Sequence, residues 1–502
     1  MRIKRFLSIA WVILFAAPGT HVCSASGSSY AASSKSESAD THMISVVPIT
    51  EVFADGWKVS AIAVKYDRNI SDASLSPSAY TVTTEVPGQT ITKVYTSTDG
   101  EKTSQKGQNG QYVILELSTD YVIPVSRSTG AKSTNLGPMT PGQGPANAGQ
   151  GTTNAKEGLT LNSEVVNKVG NLSWDPSAHP ATLKSSLHGG NGKTVSVAQL
   201  GNITATDGMT ITASSSAKDN EYCRNLIVDG FMKPDYNGAD GSRAKYNIYF
   251  PRDYDAAKTY PTVVFMTSSM PGNGRHADVL IQGLGGVIWA DKKEQARHES
   301  IVIVPAFGEA LVNENLEPAE RQGPQGRTEN QYQSVLATID YLRENVPNID
   351  KNRIYLTGQG EGARAAMKMM TDRPNMFAAA LLFSPDYDKT QISKLSKDKM
   401  WIVVSEGDDQ SYPSMEASIN SLRAAGARIS KAEWNGQANA AQFASYVGGM
   451  IKEGSNIKYT VLKKGTVVPP GVSDDAVNNH AYTWRIGYSI QGLRDWLFSQ
   501  SK

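Results

Sequence analysis

Arg353-Ile354-Tyr355-Leu356-Thr357 runs into Gly358-Gln359-Gly360-Glu361-Gly362, which runs into Ala363-Arg364-Ala365-Ala366-Met367-Lys368-Met369-Met370. The first block is rich in apolar and β-branched residues and suits a strand; the last is built from strong helix formers. The three glycines between them alternate with other residues, so the backbone can turn sharply and the helix can pack close to the strand it follows. A strand that passes through one tight corner directly into a helix is the repeating unit of an α/β fold. The residue at the apex is Gly360, which carries no side chain and accepts backbone conformations that other residues resist.

The same rhythm extends on both sides of this unit, over residues 227–502. Residues 246–250, 262–266, 301–304, 378–383, 401–404 and 458–462 are further strand candidates. Several are continuous apolar runs, as expected of strands covered on both faces. Between them lie amphipathic helices; over 331–346, for example, Val335, Leu336, Ile339, Leu342 and Val346 share one face. The alternation predicts a mainly parallel, doubly wound sheet. Ligands bind beyond the carboxyl ends of such strands, which directs attention to the loops after Met266, Thr357, Val404 and Leu462.

Upstream the character differs. Residues 46–52, 58–66, 80–84, 90–95 and 112–117 are β-type runs, punctuated by Asp55-Gly56, Pro87-Gly88, Asp99-Gly100 and Asn109-Gly110. Short strands without a helical period predict an all-β sandwich module over 44–226, single, tandem or split. Its pattern is interrupted near 127–160 by a Gly/Pro-rich insertion and resumes at 194–198 and 209–213. Before it, 26–43 is Ser- and Ala-rich and is expected to be disordered. Residues 1–25 have the form of a secretion leader: Arg2, Lys4 and Arg5, then an apolar run from Phe6 to Ala17, then small residues around Ser24-Ala25-Ser26. The apolar run is short for a membrane span, and the residues before Cys23 make a poor lipidation motif.

At 502 residues the chain has room for two domains, and its 39% hydrophobic and 19% charged residues suit an ordinary globular protein. A net charge of +1 without charge blocks argues against nucleic acid or an anionic membrane as partner. Cleavage after Ala25 would leave Cys223 as the one cysteine, so no intrachain disulfide is expected and Cys223 reads as structural.

Six stretches carry a resemblance: Tyr246-Asn247-Ile248-Tyr249-Phe250-Pro251, Tyr260-Pro261-Thr262-Val263-Val264-Phe265, Ile349-Asp350-Lys351-Asn352-Arg353-Ile354-Tyr355, Ser405-Glu406-Gly407-Asp408, His480-Ala481-Tyr482-Thr483-Trp484 and Arg494-Asp495-Trp496-Leu497-Phe498. In this order they resemble the secreted carboxylesterases of the α/β-hydrolase superfamily, near feruloyl esterases and polyhydroxybutyrate depolymerases. The region before them resembles the immunoglobulin-like domain that some of these esterases carry. The resemblance implies ester hydrolysis by a Ser–acid–His triad, with His480 as base, on a loop before the last helix, and Asp408 (or Asp409) as its orienter. It puts the nucleophile of a G-x-S-x-G elbow at Gly360, which lacks any attacking atom. It places the oxyanion hole at the backbone N–H groups of Ser268 and Glu361. The family's His-Gly after the preceding strand is replaced by Thr267-Ser268-Ser269, and a carboxylate at Glu361 would oppose a developing anion.

The expectation is therefore an esterase-family chain, silent or strongly impaired by the usual route. The alternatives are a non-catalytic extracellular binder of an ester, glycan or polymer, or an unorthodox esterase. That last would use a His480-activated water, or Ser268 or Ser269 as substitute nucleophile. No P-loop, zinc or EF-hand spacing occurs, so no metal or cofactor is expected. His179, His188, His276 and His298 read as solvated, with Arg275-His276 a pocket-lining candidate. Trp57, Trp174, Trp289, Trp401, Trp434, Trp484 and Trp496 read as core or rim packing.

Overall fold

The computed structural model describes residues 42–102, 107–125, 195–214, 216–239, 242–255, 257–268, 276–307, 326–346 and 348–502. The leader, Cys23, the Ser/Ala-rich stretch to residue 41, the insertion at 127–160, His179, His188, Trp174, Ser269 and Arg275 lie outside these residues.

Among the described residues the C-terminal half is built on nine strands: β1 (Asp235–Asn237), β2 (Arg243–Tyr249), β3 (Tyr260–Met266), β4 (Ile301–Ala306), β5 (Ile349–Gln359), β6 (Ala379–Phe383), β7 (Met400–Ser405), β8 (Ile429–Trp434) and β9 (Ile457–Leu462). Their spatial order is β1-β2-β4-β3-β5-β6-β7-β9-β8. The β1·β2 and β2·β4 pairs are antiparallel, and every other pair is parallel. Fold class thus agrees with the sequence expectation, a mainly parallel doubly wound sheet preceded by a β-sandwich.

Strand periodicity divides the core into two layers. Ile354 and Leu356 of β5, with Met400, Ile402 and Val404 of β7, face helices α2 (Gly326–Asn345), α3 (Glu361–Asp372) and α4 (Ser411–Ala424), α1 being Lys292–Arg297. Tyr355, Trp401 and Val403 point the other way, towards α5 (Ala440–Lys452), α6 (Ala476–Gly487) and α7 (Gln491–Phe498). Helix α2 buries Val335, Leu336, Ile339 and Leu342, the stripe legible in the sequence, with Val346 just past its end. Two strands of this sheet lie outside the sequence expectation. β8 (Ile-Ser-Lys-Ala-Glu-Trp) is an edge strand with Lys431 and Glu433 towards solvent and Ser430 and Trp434 buried, and β1 is three residues long at the other edge.

Among the described residues the N-terminal module pairs a five-stranded sheet with a three-stranded one. Strands Met43–Phe53, Gly56–Ile70 and Gly110–Leu117 bury Val46, Ile62, Val64, Tyr66, Val113 and Leu115 against Tyr80, Val195 and Val197 of the smaller sheet. The Tyr66 hydroxyl, deep in this layer, donates to Gln199 Oε1 at 2.9 Å. Cys223 is buried beside Asn220.

The two halves meet at Arg485 on α6. Its guanidinium donates to the Ile123 carbonyl (3.1 Å) and the Asp55 carbonyl (3.3 Å) and lies 4.6 Å from the Tyr482 ring centroid. Arg485 is 8% exposed, so Arg485→Ala would strand both carbonyls and a ring face. The expected loss is about 2–4 kcal/mol, measured as a lowered midpoint in thermal unfolding. An unchanged midpoint would show the junction to be energetically idle.

Candidate functional site

Five segments that follow the carboxyl ends of adjacent strands converge at one corner of the sheet. Ser268 lies just past β3, Gly360 past β5, Ser384 past β6, Asp408 past β7, and His480 on α6 beyond β9. Register fixes the first three: Met266 pairs with Gly358, and Gln359 with Phe383. The Gly360 N–H then donates to the Phe383 carbonyl at 2.9 Å, and its own carbonyl accepts from Arg364 N–H at 3.1 Å, which starts α3. The backbone at Gly360 has φ 53° and ψ −124°. For a residue with a side chain such a conformation costs about 1–3 kcal/mol; for glycine that strain is absent.

A Cβ built on Gly360 would stand 3.1 Å from His480 Nε2 and 3.1 Å from Ser268 Oγ. The missing side chain would therefore project straight at the imidazole. His480 donates from Nδ1 to Asp408 Oδ2 at 2.6 Å, with Ser411 Oγ 3.3 Å from the same nitrogen. Its backbone carbonyl accepts from Ser384 Oγ (3.0 Å), and its ring meets Trp484 edge-to-face at 5.0 Å. The imidazole side chain is 30% exposed and the Asp408 carboxylate 2%. Asp409, the neighbouring candidate, is exposed.

His480 does not lie on a loop, as the sequence suggested, but in the second turn of α6. Asp475 caps that helix through the Asn478 N–H. The Val-Asn-Asn-His run has weak helix propensity, so tertiary bonds hold it: Ser405 Oγ donates to Asn479 Oδ1 (2.7 Å), and Asn479 Nδ2 to Asp474 Oδ1 (2.7 Å).

Burial pushes the Asp408 carboxyl up, but the His480 ring and the Ser411 N–H and hydroxyl outweigh it and hold the group below its ordinary value. A depressed carboxylate contributes stability that is present above its unfolded pKa and is lost as pH falls through the folded one. Asp408→Asn is therefore expected to cost about 1–3 kcal/mol at neutral pH. The gap to the parent should persist down to about pH 4 and close below it. Urea midpoints across that range check this; a gap that closed between pH 7 and 5 would contradict it.

Glu361 opens α3, so its carboxylate stands in the first turn, where the helix dipole favours it. Two histidines read as solvated are in fact packed. His276 Nε2 lies 3.1 Å from the Pro234 carbonyl, and burial lowers its pKa. His298 bonds Asp495 at 2.7 Å and stacks on Phe498. Their partners are remote in sequence, which is why no local pattern signalled them. Trp289, Trp401, Trp434, Trp484 and Trp496 are buried. Ser384, which donates to the His480 carbonyl, and Ser411, whose hydroxyl lies beside the ring nitrogen, carry no local sequence signal; only the folded corner shows them.

Among the described residues no His/Cys/Asp/Glu cluster suits a metal ion, and no helix is long and apolar enough to cross a membrane.

Residues 45–212 match the family model of the esterase Ig-like N-terminal domain, and residues 239–446 match the Esterase family model. A crystal structure of a thermostable esterase superposes with a TM-score of 0.62 at 23% identity, covering 91% of this chain and 100% of that one. A ferulic acid esterase from Anaeromyces mucronatus covers 53% of this chain and 91% of its own, at 14% identity and a TM-score of 0.33. No curated protein sequence matches the chain significantly. Residues 239–446 thus lie in an esterase-family α/β-hydrolase domain, preceded by an esterase Ig-like domain.

Proposed function

We propose that this is an exported carboxylesterase-family protein whose cleft receives a carboxylic ester and whose usual attacking group is gone. His480 is the general base, Asp408 its orienter, and the N–H groups of Ser268 and Glu361 the donors to a developing oxyanion. The observation that carries the reading is the Cβ direction at Gly360, which meets His480 Nε2 at 3.1 Å while Nδ1 is held by Asp408. A base so arranged, facing a position without a hydroxyl, supports a scaffold that is silent or strongly impaired by that route. The leader over 1–25 supports an extracellular setting, and the esterase likeness supports a small or polymeric ester as ligand.

The test is turnover of an activated short-chain ester by the purified mature protein. The expected rate is about 10³–10⁴ above water, the residue left to binding and oxyanion stabilisation when a triad loses its nucleophile. Turnover at ordinary esterase rates would overturn it.

A further inference from the structure

We propose that Ser268 is the nucleophile through which this cleft retains slow esterase activity; the inference rests on the ester-cleaving reading above. Ser268 Oγ and His480 Nε2 border the same point, each 3.1 Å from where a Cβ on residue 360 would be, with Ser268 Cβ at 3.6 Å. They reach it from different elements, Ser268 from the end of β3 and His480 from α6. A Cβ at 360 would already be tight against that hydroxyl, so serine at 268 and glycine at 360 fit one another. The hydrogen bonds of the His480 ring are at Nδ1, which leaves Nε2 to face the Gly360 apex that Ser268 Oγ also borders. Serine hydroxyls exchange among staggered rotamers, and apo catalytic pairs commonly tighten only when substrate binds. Helix α3 begins at Glu361, so its positive end faces the corner where the oxyanion forms.

In the acylation step Ser268 Oγ attacks the ester carbonyl carbon and its proton passes to His480 Nε2. The carbonyl carbon–alkoxy bond breaks, and the imidazolium protonates the departing alkoxide to an alcohol. Water then attacks the acyl-Ser268 ester and gives its proton to His480. The acyl–Oγ bond breaks, Oγ regains the proton, and a carboxylic acid leaves.

The experiment is labelling with a fluorophosphonate probe, with the modified peptide located by mass spectrometry. The parent should carry the label on Ser268, and Ser268→Ala and His480→Gln should each reduce it by at least about tenfold. The double variant Gly360→Ser/Ser268→Ala, labelled at position 360, shows that removing the Ser268 hydroxyl leaves the fold and cleft intact. Label on the double variant but none on the parent overturns the assignment to Ser268 and leaves the ester-cleft reading standing. Label on neither overturns both. Parent label on any other residue overturns the assignment.

Discussion

Gly360→Ser combined with Ser268→Ala is expected to raise kcat/KM on an activated short-chain ester by about 10²–10⁴ over the parent. A triad serine is worth up to about 10⁶, and imperfect placement takes back part of it. The gain follows from geometry already in place: the Cβ vector at 360 aims at Nε2, and Asp408 holds the ring's tautomer. The single variant Gly360→Ser should gain less, by about tenfold, because an approach of 3.1 Å to Ser268 Oγ forces that hydroxyl aside. Both variants should lose about 1–3 kcal/mol of stability, since serine at φ 53° is strained. Gain of activity with loss of stability is the signature. A folded, soluble double variant without a gain would refute the reading of the cleft.

Gly362→Ala should have the largest effect on stability. A Cβ there would lie 2.2 Å from the Met266 carbonyl oxygen and 2.3 Å from that of Thr267. Both are main-chain atoms of the central strand β3 and its exit, so no side-chain rotation relieves the overlap. Either α3 moves off the sheet or β3 shifts, disturbing the layer that buries Ala363, Ala366 and Met367. The expected cost is about 3–5 kcal/mol, beyond ordinary overpacking and in the range that marks a backbone conflict. Chemical denaturation measures it; stability within about 1 kcal/mol of the parent would show that the corner is softer than its contacts imply.

Much of this is legible in the sequence alone. The corner at Gly360 could be read because strand, glycines and helix are contiguous, so local propensity and packing agree. The stripe from Val335 to Val346 was legible for the same reason. His480 reads as a loop residue because Asn478 and Asn479 have little helix preference of their own; the bond Asn479 accepts from Ser405 and the one it donates to Asp474 hold the run in α6. β8 was missed because an edge strand buries one face only and so lacks the apolar run of its neighbours. The approach of Ser268 to the apex was invisible for a stronger reason. It depends on the pairing of Met266 with Gly358, a register between strands about 90 residues apart that no window along the chain contains.

Helix α6 bears His480 in its second turn and Arg485 in its last, and Arg485 grips two carbonyls of the sandwich module. Excising the C-terminal half would thus expose a guanidinium and the Tyr482 face that the intact protein keeps covered, on the very rod that positions the imidazole. The sandwich is in this sense a brace for the histidine, and a trimmed C-terminal half is a different machine from the whole.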